Sequence, residues 1–133
     1  MDKQINGAFD VKMSPQAPAE NEEASIGRMW LDKTFHGDLD ATSKGQMLAH
    51  MTSFKGSAGY VAMEKVTGTL QGRTGSFVLQ HSGTMNRGDA TLVLKVVPDS
   101  GTEELEGLAG DMTITITDGK HYYGFDFHLP EIL

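Results

Sequence analysis

The chain has 133 residues, a formal net charge of −7 and no cysteine; that is the size of a single domain, 1–133, with bulk enough for a core, and it excludes disulfides and thiolate metal centres. An acidic balance without any Lys/Arg run repels phosphate backbones and anionic headgroups, which argues against nucleic acid and membrane partners. The opening MDKQINGAFDVKM lacks the basic region and apolar run of a signal peptide, and no stretch approaches the roughly 18 apolar residues of a spanning helix, so a cytoplasmic protein is predicted.

The first element, QINGAFDVKM, alternates. Ile5, Phe9, Val11 and Met13 share one face and Gln4, Asn6, Asp10 and Lys12 the other, the period of a half-buried strand. Ser14 to Ser25, SPQAPAENEEAS, carries two Pro and three Glu and predicts a solvated loop. A second strand follows over Ile26–Phe35 (IGRMWLDKTF), closed by His36-Gly37-Asp38, and a third over LDATSKGQMLAHM. The turn SFKGSAG leads to YVAMEKVTGTL, and Gln71-Gly72-Arg73-Thr74 turns into GSFVLQHSGTM. Asn86-Arg87-Gly88-Asp89 turns into ATLVLKVVP; Asp99-Ser100-Gly101-Thr102 opens a longer connection through EELEGLAG. The last two strands, MTITIT and HYYGFDFHL, flank Asp118-Gly119-Lys120. One helical turn before Gly107 is all the helix the pattern allows.

Turn glycines Gly72, Gly88 and Gly101 lie 16 and 13 residues apart, which marks a meander of antiparallel strands rather than βαβ units. Eight strands without a helix to cover a sheet face leave a sandwich or a closed barrel. Hairpin turns at nearly every step favour the up-and-down barrel, since Greek keys need longer crossovers. The fold class read from the sequence is therefore all-β, an eight-stranded antiparallel up-and-down barrel, and closure would remove the exposed edges of such long strands.

The run GYVAMEKVTGTLQGRTGSFVLQHSGTM, preceded by KTFHGDLDATSKGQML and followed by LKVVPDSGTEELEGLAG, resembles a bacterial family of unknown function with an allene oxide cyclase-like barrel fold. The resemblance extends from about Gly27 to Gly119. It implies an eight-stranded barrel with an interior cavity and brings no reaction with it. Where that family carries Gly-Ser-Gly-Thr-Gly, this chain has Asp99-Ser100-Gly101-Thr102-Glu103.

Strand alternation then assigns faces. In GYVAMEKVTG, Lys65 marks the outside, which sends Tyr60, Ala62, Glu64 and Val66 inward. A carboxylate among apolar side chains needs a hydrogen-bond partner or a proton; desolvation would raise the Glu64 pKa and suit it to general acid or base work. In GSFVLQHSG only one of Gln80 and His81 points inward, and His81, on the face of Phe77 and Leu79, is the preferred partner for Glu64. Trp30, His50, Tyr60, Tyr123 and Phe125 complete the candidate interior, either as plain core or as the wall of a pocket for a partly apolar ligand. Glu64 and His81 are the candidate catalytic pair; Trp30, His50, Tyr60, Gln80, Tyr123 and Phe125 are the candidate ligand-binding residues. Small inward residues, Ala62, Gly68, Gly75 and Gly83, are expected to leave a cavity.

Nucleotide-binding and nucleophile-elbow motifs are absent, and the five His show no metal-ligand spacing, so no metal and no cofactor is expected. The leading expectation is a barrel that binds a small hydrophobic or amphipathic molecule. The alternative is an isomerase or cyclase acting on a small unsaturated ligand inside the barrel. Val61, Met63, Val93 and Val97 share the outward parity of Lys65 and Lys95, and an apolar outer strip predicts a homo-oligomer.

Overall fold

The structure, a computed structural model, describes residues 2–16 and 26–130. Eight strands, β1 (Asp2–Pro15), β2 (Gly27–Phe35), β3 (Leu39–Met51), β4 (Ala58–Leu70), β5 (Arg73–Asn86), β6 (Asp89–Val96), β7 (Ala109–Thr117) and β8 (Lys120–His128), form one sheet in chain order. β1 closes on β8 to complete an antiparallel barrel. This is the expected architecture. Ser14 and Pro15, read from the sequence as loop, extend β1 opposite Trp30 and Met29; the remainder of that loop, residues 17–25, lies outside the described residues.

Three hairpins turn on Gln71-Gly72, Arg87-Gly88 and Asp118-Gly119, with positive φ at both residues of each pair. That is the type I′ geometry whose twist matches the flanking strands, and glycine makes its second position cheap. The connection from β6 to β7 carries the one helical turn, Glu103–Leu105, and folds under the barrel. Its Leu105 and Leu108 join Leu129, Leu39, Leu70, Phe77, Phe125 and Phe127 in a continuous apolar core. The lower half of the barrel is thus packed solid.

The upper end is different. Met13 pairs with inward Leu31, Leu92 with inward Gly83, and Met51 with Ala58, which in turn faces Met85. Directly opposed residues share a face, so all four side chains point toward the barrel axis. They nevertheless remain open to water, at 51% for Met13, 37% for Leu92, 81% for Met51 and 43% for Met85. Ile116, opposite the inward His121, behaves likewise. Met29, Met47 and Ala49 stand half-buried just beneath. Among the described residues the barrel therefore has a packed floor and an apolar, water-exposed mouth.

Outside, charged residues alternate with an apolar strip. Val61, Met63 and Val93 are exposed there as read from the sequence, joined by Leu48 and Trp30, while Val97 is half-buried at the end of β6. Among the described residues no helix is long and apolar enough to cross a membrane.

Candidate functional site

Between the packed half and the mouth lies a cluster of buried polar side chains. On β2 the alternation Leu31, Lys33, Phe35 fixes the inner face through its two apolar members and carries Lys33 in with them. β3 contributes Ser43 directly opposite Lys33, β4 contributes Glu64 between Ala62 and Val66, and β5 contributes His81 two residues after Leu79. Lys33, Ser43, Glu64 and His81 are all buried.

Glu64 is the centre. Its Oε1 accepts from Lys33 Nζ at 2.9 Å and from His81 Nε2 at 2.8 Å, and its Oε2 accepts from the Ser43 hydroxyl at 2.7 Å. Lys33 sits on β2, so the carboxylate must reach across the inner face of β3. It does so beside Gly45, which pairs with Glu64 in the ladder. A Cβ at Gly45 would lie 2.7 Å from both Cα and Cβ of Glu64, so glycine here makes room for the crossing. Lys33 Nζ is also 5.1 Å from the Phe9 ring centroid and 5.9 Å from that of Phe35, which offers its remaining charge two aromatic faces.

Burial taken alone would raise the Glu64 pKa, as the sequence suggested. The hydrogen bond from His81, the Lys33 charge and the Ser43 hydrogen bond overturn that and hold the carboxyl at about 2, from an ordinary 4.5. Glu64 is a fixed anion rather than a proton carrier near neutrality, which corrects the expectation of a raised pKa. The ionised carboxylate has no proton to give, so the Nε2 beside it carries the hydrogen and Nδ1 keeps the lone pair in the neutral ring.

Nδ1 faces Tyr60, whose hydroxyl is 3.5 Å away, at the outer limit of a hydrogen bond. Tyr60 pairs with Gly83 and Ala49, one inward row nearer the mouth than the Ala62–His81 pair. Burial first and the Glu64 charge second raise the Tyr60 pKa, which keeps its hydroxyl protonated and a donor. A Cβ on Gly83 would run into the Tyr60 ring. That glycine leaves no void; it is filled by the tyrosine. Gly75 and Gly68 are likewise occupied, by the Thr102 carbonyl and by the Asp40–Ala41 backbone. The expected cavity at small inward residues is therefore replaced by close packing at Gly68, Gly75 and Gly83.

Of the eight candidate residues, Glu64, His81 and Tyr60 come together. Tyr123 and Phe125 are interior too, but in the sealed core. Phe125 stacks on Phe77 at 5.9 Å, and the Tyr123 hydroxyl donates to the His36 carbonyl at 2.8 Å while accepting from the Leu39 amide at 3.3 Å. Trp30, His50 and Gln80 do not belong to the interior. Trp30 alternates with inward Leu31, His50 with Ala49, and Gln80 with Leu79 and His81, so each stands exposed on the outer wall. Lys33 and Ser43 were not singled out in the sequence, although Leu31-x-Lys33-x-Phe35 placed a lysine in register with two core residues. Among the described residues no group of three His, Asp or Glu stands close enough to hold a metal ion.

A shallow groove of about 770 Å³ crosses the outside of β2–β5, lined by Arg28, Gln46, Leu48, Val61, Met63 and Gln80 among others. Six of its nine lining residues face outward, while Met47, Ala62 and His81 belong to the inward rows.

Comparison with known proteins agrees with the architecture. A crystal structure of a protein of unknown function from the DUF3224 family of Shewanella oneidensis MR-1 is 50% identical, covers 99% of this chain and 100% of its own, and superposes with a TM-score of 0.91. No curated protein matches the chain. Residues 5–127, nearly the whole barrel, match the family described as protein of unknown function (DUF3224), and the chain belongs to that family.

Proposed function

We propose that the barrel binds a small amphipathic molecule in its open end, with the apolar part against the mouth and the polar part toward Tyr60 and His81. One observation carries this reading: Met13, Met51, Met85, Leu92 and Ile116 point inward yet stay in water. An apolar lining left wet above a buried polar group has the two-part chemistry of an amphipathic guest. Methionine adapts its shape to what it touches, and five of the eight methionines, Met13, Met29, Met47, Met51 and Met85, stand at this end. Displacing water from such side chains contributes about 25 cal/mol for each Å² covered.

The isomerase or cyclase reading is weaker, because Glu64, the candidate group for proton transfer, is held ionised. The test is fluorescence titration with N-phenylnaphthylamine, an uncharged apolar probe. Binding is expected, and Leu92→Glu and Met85→Glu, both at water-exposed positions, are expected to weaken it by about tenfold or more. No binding, or equal binding by both variants, would overturn the proposal.

A further inference from the structure

The polar cluster carries a specific chemistry for the guest's head. Lys33 and Glu64 cancel in charge, and the carboxylate fixes the Nε2 hydrogen of His81. What remains is the Nδ1 lone pair, on the side of Tyr60, whose row stands nearer the mouth. Tyr60 at 3.5 Å only grazes it. The charged and titratable groups around the imidazole are Glu64 and Tyr60 on β4 and Lys33 on β2; β3 adds Ser43, and β6 places Leu94 opposite.

A proton placed on Nδ1 would leave the cluster with two cations and one anion. In a buried setting that surplus is costly unless an anion arrives with it. A carboxylic acid delivers both together. Its O–H bond breaks and the proton forms an N–H bond at Nδ1. The oxygen keeps the electron pair and stays as a carboxylate beside the imidazolium, with the Tyr60 hydroxyl free to turn and donate to it. An alcohol of the same length cannot supply the proton, and a permanently charged amine would meet Lys33.

We infer that this site selects a monocarboxylic acid with an apolar tail, seated with its head on His81 Nδ1 and Tyr60 and its tail along the methionine mouth. The inference rests on the proposed ligand-binding role and specifies its guest. His81 and Tyr60 become the head-binding residues; Glu64 and Lys33 are positioning residues that set which nitrogen is free.

The experiment is isothermal titration calorimetry at about pH 8 with octanoate and with octanol, each in two buffers of different ionisation enthalpy, so that protons taken up on binding are counted. Octanoate is expected to bind with uptake of about one proton and at least about tenfold more tightly than octanol. In His81→Gln the proton uptake should vanish and the preference for octanoate collapse, while octanol binding is retained. Tyr60→Phe, which keeps the ring and drops the hydroxyl, should weaken octanoate several-fold and keep the proton uptake, and it serves if His81→Gln does not fold. Octanoate binding without proton uptake, or octanol bound as tightly as octanoate, would overturn the acid-head inference. If N-phenylnaphthylamine binds but octanoate does not, the inference falls and the binding barrel stands; if neither binds, both fall.

Discussion

Glu64 is buried and charged, and its three partners, Lys33, Ser43 and His81, define how its energy depends on pH. The folded carboxyl titrates at about 2 and the unfolded one near 4.5, so between those values the unfolded chain binds the proton more tightly. The stabilisation is complete above about pH 4.5 and is lost as pH falls toward 2. The gap corresponds to about 3 kcal/mol. Urea unfolding at a series of pH values should show that acid limb, and Glu64→Gln should flatten it; an unchanged slope in the variant would assign the limb to other carboxylates. Glu64 and His81 were legible because parity in two successive strands left each beside core residues. Lys33 was not, because a lysine is ordinarily a marker of the outside, and its inward course depends on a partner that β4 supplies 31 residues later. Of Gln80 and His81, one of which had to face inward, His81 does; Trp30 and His50 stand outside for the converse reason. Aromatic or polar character suggested a lining, whereas the alternation of their own strands sends them out.

At the scale of the element, β4 and β5 form the longest uninterrupted ladder beside that of β3 and β4, with Tyr60 facing Gly83 across it. The pairing is a size match: the bare glycine receives the aromatic ring. Gly83→Ala should push the ring off its place and cost about 1–3 kcal/mol. Tyr60→Leu should recover part of that loss when combined with it, giving a coupling energy in a double-mutant cycle. Additive losses would mean that the two positions do not contact. The strands themselves were readable from alternation and turn chemistry, and the single helical turn at Glu103–Leu105 was anticipated as well. The function of the glycines was not, since a missing side chain on an inner face reads equally as free space or as room for a neighbour, and only the packed ladder distinguishes them.

For the molecule as a whole, the wall is uneven. β6 and β7 share one registered pair, Lys95–Asp111, joined by an exposed ion pair at 3.0 Å, while most of the neighbouring ladders run for seven residues or more. Exposed ion pairs contribute about 1 kcal/mol or less. The facing amides of β6 and β7 should therefore exchange with deuterium about tenfold or more faster than those of β4, and uniform protection around the barrel would refute the weak seam. Closure was legible from eight strands lacking a covering helix; the thin joint was not, because it arises where the long β6–β7 connection leaves to fill the floor.

The rim described above also has a vulnerability that an aliphatic one would lack. Peroxide converts an accessible thioether into a sulfoxide, polar and stereogenic where the sulfur was greasy. Met112, buried at 4% exposure, is shielded from that attack, whereas Met51 and Met13 stand in its way. Oxidant would thus roughen the entrance long before it reached the foundation.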